Sequence, residues 1–288
     1  MTSRIQYNNP KSSEALGLPY HYEMVSDKKR VTPFKKAIFA SCKGKRVLES
    51  GTGSAILSIL AAKAGAQKVY AVEIDKEVAK FARENIRKAG YQNTIVLIEK
   101  DVKKVRLKDI DNKKVDVVIA ENLSTWQVTE PQIQIMNHIN NSLVNKNSIV
   151  LPAKIFNYVE LTQSRYKFEN AIDLRTHYFE FTGIKKNKIL STKKLFEEID
   201  LTKKNPPNIS KKIRLKTNSY GVLNSVRLTS PLQIHGKIKF DASDSLMPPV
   251  IFPIKQDIQV SKNDIIELSI IYRHNTKWEA FNCEAKKV

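Results

Sequence analysis

The chain has 288 residues, 41% of them hydrophobic, which is enough for one large core or two medium ones. Lysine and arginine outnumber aspartate and glutamate by 49 to 29, and the resulting net charge of +20 attracts phosphate polyanions, so nucleic acid stays open as a partner. Two cysteines cannot form a disulfide framework or a zinc cluster, no apolar run approaches a membrane span, and the N-terminus has no stretch like a secretory signal, so a cytoplasmic protein is expected.

Residues 1–19 are polar and irregular, with Asn8-Asn9-Pro10 as a turn signal. A helix is expected from Thr32, with Thr32 as N-cap, Pro33 as first helical residue, and Phe34, Ala37 and Ile38 as its apolar stripe. Strands and helices then alternate. Arg46–Glu49 reads as a strand, and Ser54–Lys63 as a helix closed by Gly65. Lys68–Glu73 is a strand, and Asp75 caps a helix that buries Val78, Phe81, Ala82 and Ile86 and stops at Gly90. Thr94–Ile98 and Val115–Ala120 are strands, a helix covers Gln132–Leu143, and Ser148–Leu151 is a fifth strand. Such alternation predicts a parallel sheet covered on both faces, a Rossmann-like α/β domain.

After Pro152 the texture changes. Segments 155–163, 177–182, 221–229, 233–240, 256–260, 265–272 and 278–284 are short runs rich in β-branched and aromatic residues, several with period-two alternation. Asn205-Pro206-Pro207-Asn208 and Pro248-Pro249 punctuate them as loop turns. We expect an α/β domain over residues 1–154 and a mostly antiparallel, barrel-like domain over 155–288.

The run Val47-Leu48-Glu49-Ser50-Gly51-Thr52-Gly53-Ser54-Ala55-Ile56-Leu57 carries the most chemistry. It reads as a buried strand, a glycine turn and a helix start, the arrangement that brings backbone close to a ligand at the carboxyl end of a sheet. A dinucleotide fits it poorly: Ile56 stands where the nicotinamide fingerprint wants glycine or alanine, and Glu49 would face a pyrophosphate. A methionine-type ammonium group instead welcomes that carboxylate. Glu73 ends the second strand, where it can accept from both ribose hydroxyls, and Asp101 follows the third, where it can accept from an adenine amino group with Val102 on the ring. The cofactor that fits Gly51, Gly53, Glu49, Glu73, Asp101 and Val102 best is S-adenosyl-L-methionine, with S-adenosyl-L-homocysteine as product. The five histidines, His21, His138, His177, His235 and His274, lack metal-ligand spacing, so no metal is expected.

Further stretches carry a family resemblance. His21-Tyr22-Glu23-Met24-Val25-Ser26-Asp27-Lys28-Lys29-Arg30 matches a pattern H-x-x-M-L-x-D-x-x-R with valine for leucine, Leu57–Ala66 matches the helix after the glycine turn, and Glu130 lies nine positions after Glu121. From about residue 20 to 155 the chain resembles the class I S-adenosylmethionine-dependent methyltransferases, and within them the protein arginine methyltransferases. The resemblance implies that Arg30 pairs with the cofactor's carboxylate, that His21 and Met24 line its pocket, and that Glu121 and Glu130 form the family's two-glutamate loop. A carboxylate fork suits a planar, bidentate guanidinium. Thr129 and Gln132 also read as an ordinary capping box around Glu130.

The chain departs from the family on the acceptor side. Lys11-Ser12-Ser13-Glu14-Ala15 replaces an aromatic Y-F-x-x-Y segment, Asn122-Leu123-Ser124 replaces W-M-G, and Ser245-Leu246-Met247 aligns with the T-H-W loop. Residues 165–190 are short for the family's dimerisation arm, which leaves the oligomer open. The expected activity is in-line methyl transfer to a side chain of a basic protein. RNA methylation and a relative that binds cofactor without arginine methylation remain as alternatives.

Overall fold

The computed structural model describes residues 18–288; the Lys11–Ala15 segment and the Asn8-Asn9-Pro10 turn lie outside them. Two helices lead the chain, α1 (Leu18–Ser26) and α2 (Lys28–Ser41). The α/β part then runs β1 (Arg46–Ser50), α3 (Ile56–Lys63), β2 (Lys68–Glu73), α4 (Lys76–Lys88), β3 (Ile95–Glu99), β4 (Val115–Ala120), α5 (Gln132–Ser142) and β5 (Val144–Leu151). All five strands are parallel, in the order β3-β2-β1-β4-β5. Their apolar runs are continuous because both faces are covered: Val47, Leu48, Val69, Tyr70, Ala71, Val72, Val117, Val118 and Ile119 are all fully buried.

Helix α2 begins four residues before the expected Thr32. The Asp27 side chain accepts from the backbone N–H of Lys29 and Arg30 and so supplies the cap, while Pro33 sits inside the helix. That earlier start puts Arg30 on the helix, facing the sheet, where it is buried. In α4, Asp75 caps as expected, but Ala79 takes the buried position expected of Phe81, which is largely exposed. Helix α3 starts at Ile56, not Ser54, because Ala55 adopts a left-handed conformation before it.

The remainder is antiparallel β. It comprises β6 (Lys154–Gln163), β7 (Lys167–Phe168), β8 (Ile172–Asp173), β9 (Tyr178–Phe179), β10 (Lys188–Ile189), β11 (Lys194–Asp200), β12 (Asn208–Lys216), β13 (Gly221–Thr229), β14 (Leu232–His235), β15 (Ile238–Phe240), β16 (Val250–Val260), β17 (Ile265–Arg273) and β18 (Asn282–Lys287). One sheet runs β15-β14-β6-β13-β16-β9, with β10 and β11 also on β6, and a second runs β12-β17-β18. The expected run 233–240 is a hairpin broken at Gly236, and 177–182 holds only the short β9. Strands β11 and β12 were not among the expected runs. Their charged residues and sparse apolar positions (Phe196 and Ile199; Ile209, Ile213 and Leu215) mask the alternation.

Two cores interlock. Leu232, Ile234, Phe240, Leu246 and Met247 join the core of the α/β part, whereas Trp126 and Val128, from the loop after β4, join the core between the two β-sheets. Burial on that scale makes the second unit a fixed wall of whatever the loop after β4 builds.

Candidate active site

Strand β1 pairs with β2 on one side and β4 on the other, so the strand order reverses at its carboxyl end, where open α/β sheets place their ligands. Gly51 and Gly53 follow it with φ of +66° and +54°. The turn is crowded by side chains as well as left-handed. A Cβ added at Gly51 would lie 2.5 Å from Asn122 Nδ2, and one at Gly53 would lie 2.6 Å from the ring of His21. The glycine turn thus fits between α1 and the loop after β4. His21 lies over it, and Met24 is half-buried on the same helix.

The two carboxylates beside the turn are held by near neighbours. Glu49 is buried, and its Oε2 accepts from Thr52 Oγ1 at 2.5 Å and from Ser58 Oγ. Burial pushes its carboxyl up to about 7; the two hydroxyls oppose that, and the charge of Glu121 adds to it. Glu73 accepts from Gly53 N at 2.9 Å through one oxygen, and from Ile74 N and Asp75 N at 2.8 and 3.0 Å through the other. A carboxylate has roughly four acceptor sites, so three are engaged in fixing the turn to the end of β2. Asp101 accepts from Lys103 N at 2.9 Å and so caps the short 3₁₀ turn Val102–Lys104, in which Val102 is buried.

Across the crevice stand Arg30, Glu121 and Glu130. The guanidinium of Arg30 forks onto Glu121, with Nε donating to Oε1 at 2.8 Å and Nη2 to Oε2. Burial works against the Arg30 charge, but Glu121 outweighs it and holds the guanidinium above its usual value. Glu130 has no such partner: its carboxylate accepts no hydrogen bond among the described residues. Burial, and next the charge of Glu121, push it up to about 7. Glu49 and Glu130 therefore each lie within electrostatic reach of Glu121, and Arg30 is the cation paired to Glu121.

The capping box around Glu130 does not form. Helix α5 starts at Gln132 without a side-chain cap, and the Gln132 amide turns back to β4, accepting from Asn122 N and donating to the Ala120 carbonyl, both at 2.9 Å. Ser124 Oγ accepts from Thr129 N and Glu130 N, each at 3.1 Å, and closes the loop on itself. Glu130 is left free of capping duty. Sequence reasoning passed over Ser124 and Gln132 as site-building residues, and it passed over Trp126. A tryptophan in a mostly polar loop, one of only two in the chain, was the available signal.

Trp126 anchors the loop in the β-rich unit. Its ring stacks on Phe196 at 4.7 Å, its indole N–H donates to the Tyr158 carbonyl at 3.2 Å, and its backbone N–H donates to Ser230 Oγ at 2.8 Å. Thr125 Oγ1 donates to the Pro248 carbonyl at 2.7 Å, and Thr276 N to the Val128 carbonyl at 2.6 Å. Ser245, aligned with the T-H-W loop, donates to Asp27 Oδ2 at 2.6 Å and ties that segment to the start of α2.

Comparison with known proteins gives this arrangement its class. Residues 39–159 match the family model described as ribosomal protein L11 methyltransferase (PrmA). A probable protein arginine N-methyltransferase 1.2 of Arabidopsis thaliana is 27% identical over 201 residues, covering 64% of this chain and 54% of its own. The chain is a class I S-adenosylmethionine-dependent methyltransferase that resembles the protein arginine methyltransferases. An uncharacterized protein of Methanocaldococcus jannaschii is 29% identical over 263 residues, covering 91% of this chain and 94% of that one. The chain spans about half the length of the plant arginine methyltransferases it matches. The two-domain architecture is that of the Trypanosoma brucei PRMT1 enzyme–prozyme heterotetrameric complex with AdoHcy, with a TM-score of 0.75 at 17% identity over 93% of this chain and 96% of that one. Arabidopsis thaliana protein arginine methyltransferase 10, in an open conformation, gives 0.77 at 19% identity over 94% and 93%.

The residues present fit S-adenosylmethionine. The positive φ of the glycine turn disfavours a side chain there, and Glu73 stands at the carboxyl end of β2, the end at which open α/β sheets place their ligands. Among the described residues no group of His, Cys, Asp or Glu could hold a metal ion, and no helix is long and apolar enough to cross a membrane.

Proposed function

We propose that this methyltransferase acts on an arginine side chain of a basic protein. The observation that carries the reading is the carboxylate pair on the loop after β4. Glu121 already holds one guanidinium as a bidentate fork, and beside it Glu130 has neither a hydrogen bond nor a counter-ion among the described residues. A second, incoming guanidinium would satisfy both carboxylates at once.

When bound, S-adenosylmethionine supplies an electrophilic sulfonium methyl, and its C–S bond breaks, with the electron pair staying on sulfur, as a nitrogen takes the methyl group. The protein's part is alignment. Arg30, freed from Glu121 by competition for its fork, suits a carboxylate on the donor side, while His21 and Met24 close α1 over the turn. Glu49 gives an ammonium group a buried acceptor. Glu121 and Glu130 draw the guanidinium charge to one side, leave the opposite nitrogen nucleophilic, and hold it in line for displacement. Glu130 is placed to receive the proton that the methylated nitrogen loses. The two thiols, Cys42 and Cys283, are buried and pushed up to about 12, so they take no part; free inert thiols suit a cytoplasmic enzyme.

The test is to incubate the purified protein with radiolabelled S-adenosylmethionine and a lysate divided into RNase-treated and protease-treated portions. Label that survives RNase and disappears with protease, and that maps to methylarginine after hydrolysis, is the expected result. Label lost to RNase would transfer the acceptor role to RNA.

A further inference from the structure

Helix α2 has a second face. Lys29, Thr32, Pro33 and Lys36 recur at helical spacing on its outer side, and Arg30 leaves the same turn toward the crevice. The hairpin strand β15 packs beside α2; Lys239 lies on that strand and Lys237 in the turn that leads into it. Between helix and strand runs an open groove of about 750 Å³, with Lys28, Lys29 and Lys36 on one wall and Lys237 and Lys239 on the other. Asp241 is the one acidic residue that lines it.

Three properties say what such a groove takes. All five lysines are exposed, and none forms an ion pair among the described residues, although lysines elsewhere on the surface pair with Glu77, Asp109, Glu198 and Glu284. Unpaired cations packed side by side repel one another and gain most from a ligand carrying several negative charges in a row. Lys237 and Lys239 are two residues apart, so their backbones lie within roughly 7 Å of one another, a spacing suited to successive charges along an extended chain. Finally, Pro33 and Ile238 give the groove short apolar stretches but no exposed aromatic platform. That combination favours a phosphodiester backbone, whose sugars rest on small apolar surface, and predicts little preference among bases.

We propose that this groove binds the backbone of single-stranded RNA beside the active site. The lysines engage phosphates and the bases stay largely unread. The site shares α2 with Arg30 but not its chemistry, so the inference does not rest on arginine as the methyl acceptor.

Fluorescence anisotropy with a fluorescein-labelled uridine 15-mer tests it. Five lysine–phosphate contacts give a slope of log affinity against log salt near −3.5, at about −0.7 per contact for single strands. The triple substitution Lys36→Gln/Lys237→Gln/Lys239→Gln is expected to reduce that slope by about 2 and to weaken binding about tenfold or more at moderate salt. A control triple at exposed lysines elsewhere, Lys185→Gln/Lys186→Gln/Lys262→Gln, removes the same charge and is expected to leave the slope in place. Unchanged thermal melts and S-adenosylmethionine binding in both triples keep the comparison about the groove. Equal losses in the two triples would overturn the proposal in favour of diffuse surface charge. Displacement of RNA by polyglutamate at equal charge concentration would make the groove an acidic-peptide site instead. Sedimentation showing a dimer that dissociates in the groove triple would make it a face between two copies.

Discussion

The two banks of the crevice are built on different principles. On the bank proposed to hold the donor, each carboxylate is fixed by its own neighbourhood: Glu49 by hydroxyls three and nine residues away, and Glu73 by backbone N–H groups next to it and by Gly53, twenty residues away. The bank proposed to face the acceptor is assembled across the whole chain. Arg30 meets Glu121 over 91 residues, Trp126 meets Ser230 over 104, and Thr125 meets Pro248 over 123. Each of those two carboxylates is also hydrogen-bonded, whereas the other bank keeps one carboxylate, Glu130, without a hydrogen bond among the described residues. A site that must hold a fixed cofactor can be completed in advance. A site that must take a cation gains from leaving part of its pairing to that cation, provided a rigid wall holds the unsatisfied group in place.

The sharpest break of that contrast is at Glu73. Glu73→Ala removes three backbone contacts and the expected ribose acceptor together, and calorimetry with S-adenosylmethionine is expected to show no heat of binding. Normal binding would mean that the donor bank is misassigned. Glu121→Gln tests the opposite bank. It is expected to retain cofactor binding and to lose about 100-fold or more in methyl transfer, the scale seen when a preorganised charged partner is removed. It also leaves Arg30 buried without its counter-charge, so the melting temperature should fall. Loss of cofactor binding equal to that of Glu73→Ala would merge the two banks into one.

Trp126→Ala probes the wall behind the acceptor bank. The side chain is fully buried and stacked on Phe196, so truncation is expected to cost about 3–5 kcal/mol of stability. The informative readout is kinetic. At a temperature where the variant is folded, a loosened loop should raise the KM for acceptor and leave the KM for S-adenosylmethionine near wild type. Equal changes in both would show that the β-rich unit supports the whole crevice and not one bank of it.

The same division marks what could be read from the amino-acid order. The glycine turn, Glu49, Glu73 and the alternation of β1 to β5 were legible because short-range pattern determines them: an apolar run, a φ that only glycine takes easily, an acid at a strand end. Glu121 and Glu130 were legible as a spacing but not as a pair, because Thr129 and Gln132 offered an equally local capping reading. The fold chose otherwise once Gln132 could close the ladder at Ala120. Trp126 could not be placed at all, since its partners Phe196, Tyr158 and Ser230 lie on three different strands or turns of the second unit. Asp27 was missed as the cap of α2 because Thr32-Pro33 is the stronger local signal. What overrides it is the fit of Arg30 against Glu121 and of Ser245 on Asp27, both long-range.

The smallest expected effect is on pH dependence, and it separates the banks by sign. Glu130 titrates near 7 when folded against an ordinary glutamate value of 4.5. A guanidinium is held only by the ionised form, so kcat/KM for acceptor should rise severalfold from pH 6 to 8. Stability moves the other way. The folded state keeps a proton on Glu130 that the unfolded chain releases above about 4.5, so this group's contribution declines as pH rises through that window. Glu49, also near 7, declines with it. Buried His274, pushed down to about 4, opposes both, because the unfolded chain binds the extra proton between about 4 and 6.5. The total curve is therefore a poor test, and the difference between wild type and Glu130→Gln is a good one. Glu49 and His274 are common to both and cancel. The variant should gain melting temperature relative to wild type as pH climbs from about 5 to 7, and should lose the pH dependence of kcat/KM over the same range. Parallel melting curves at every pH would show that Glu130 is not held un-ionised by its surroundings, and the contrast between the hydrogen-bonded carboxylates of one bank and the bare one of the other would lose its electrostatic content.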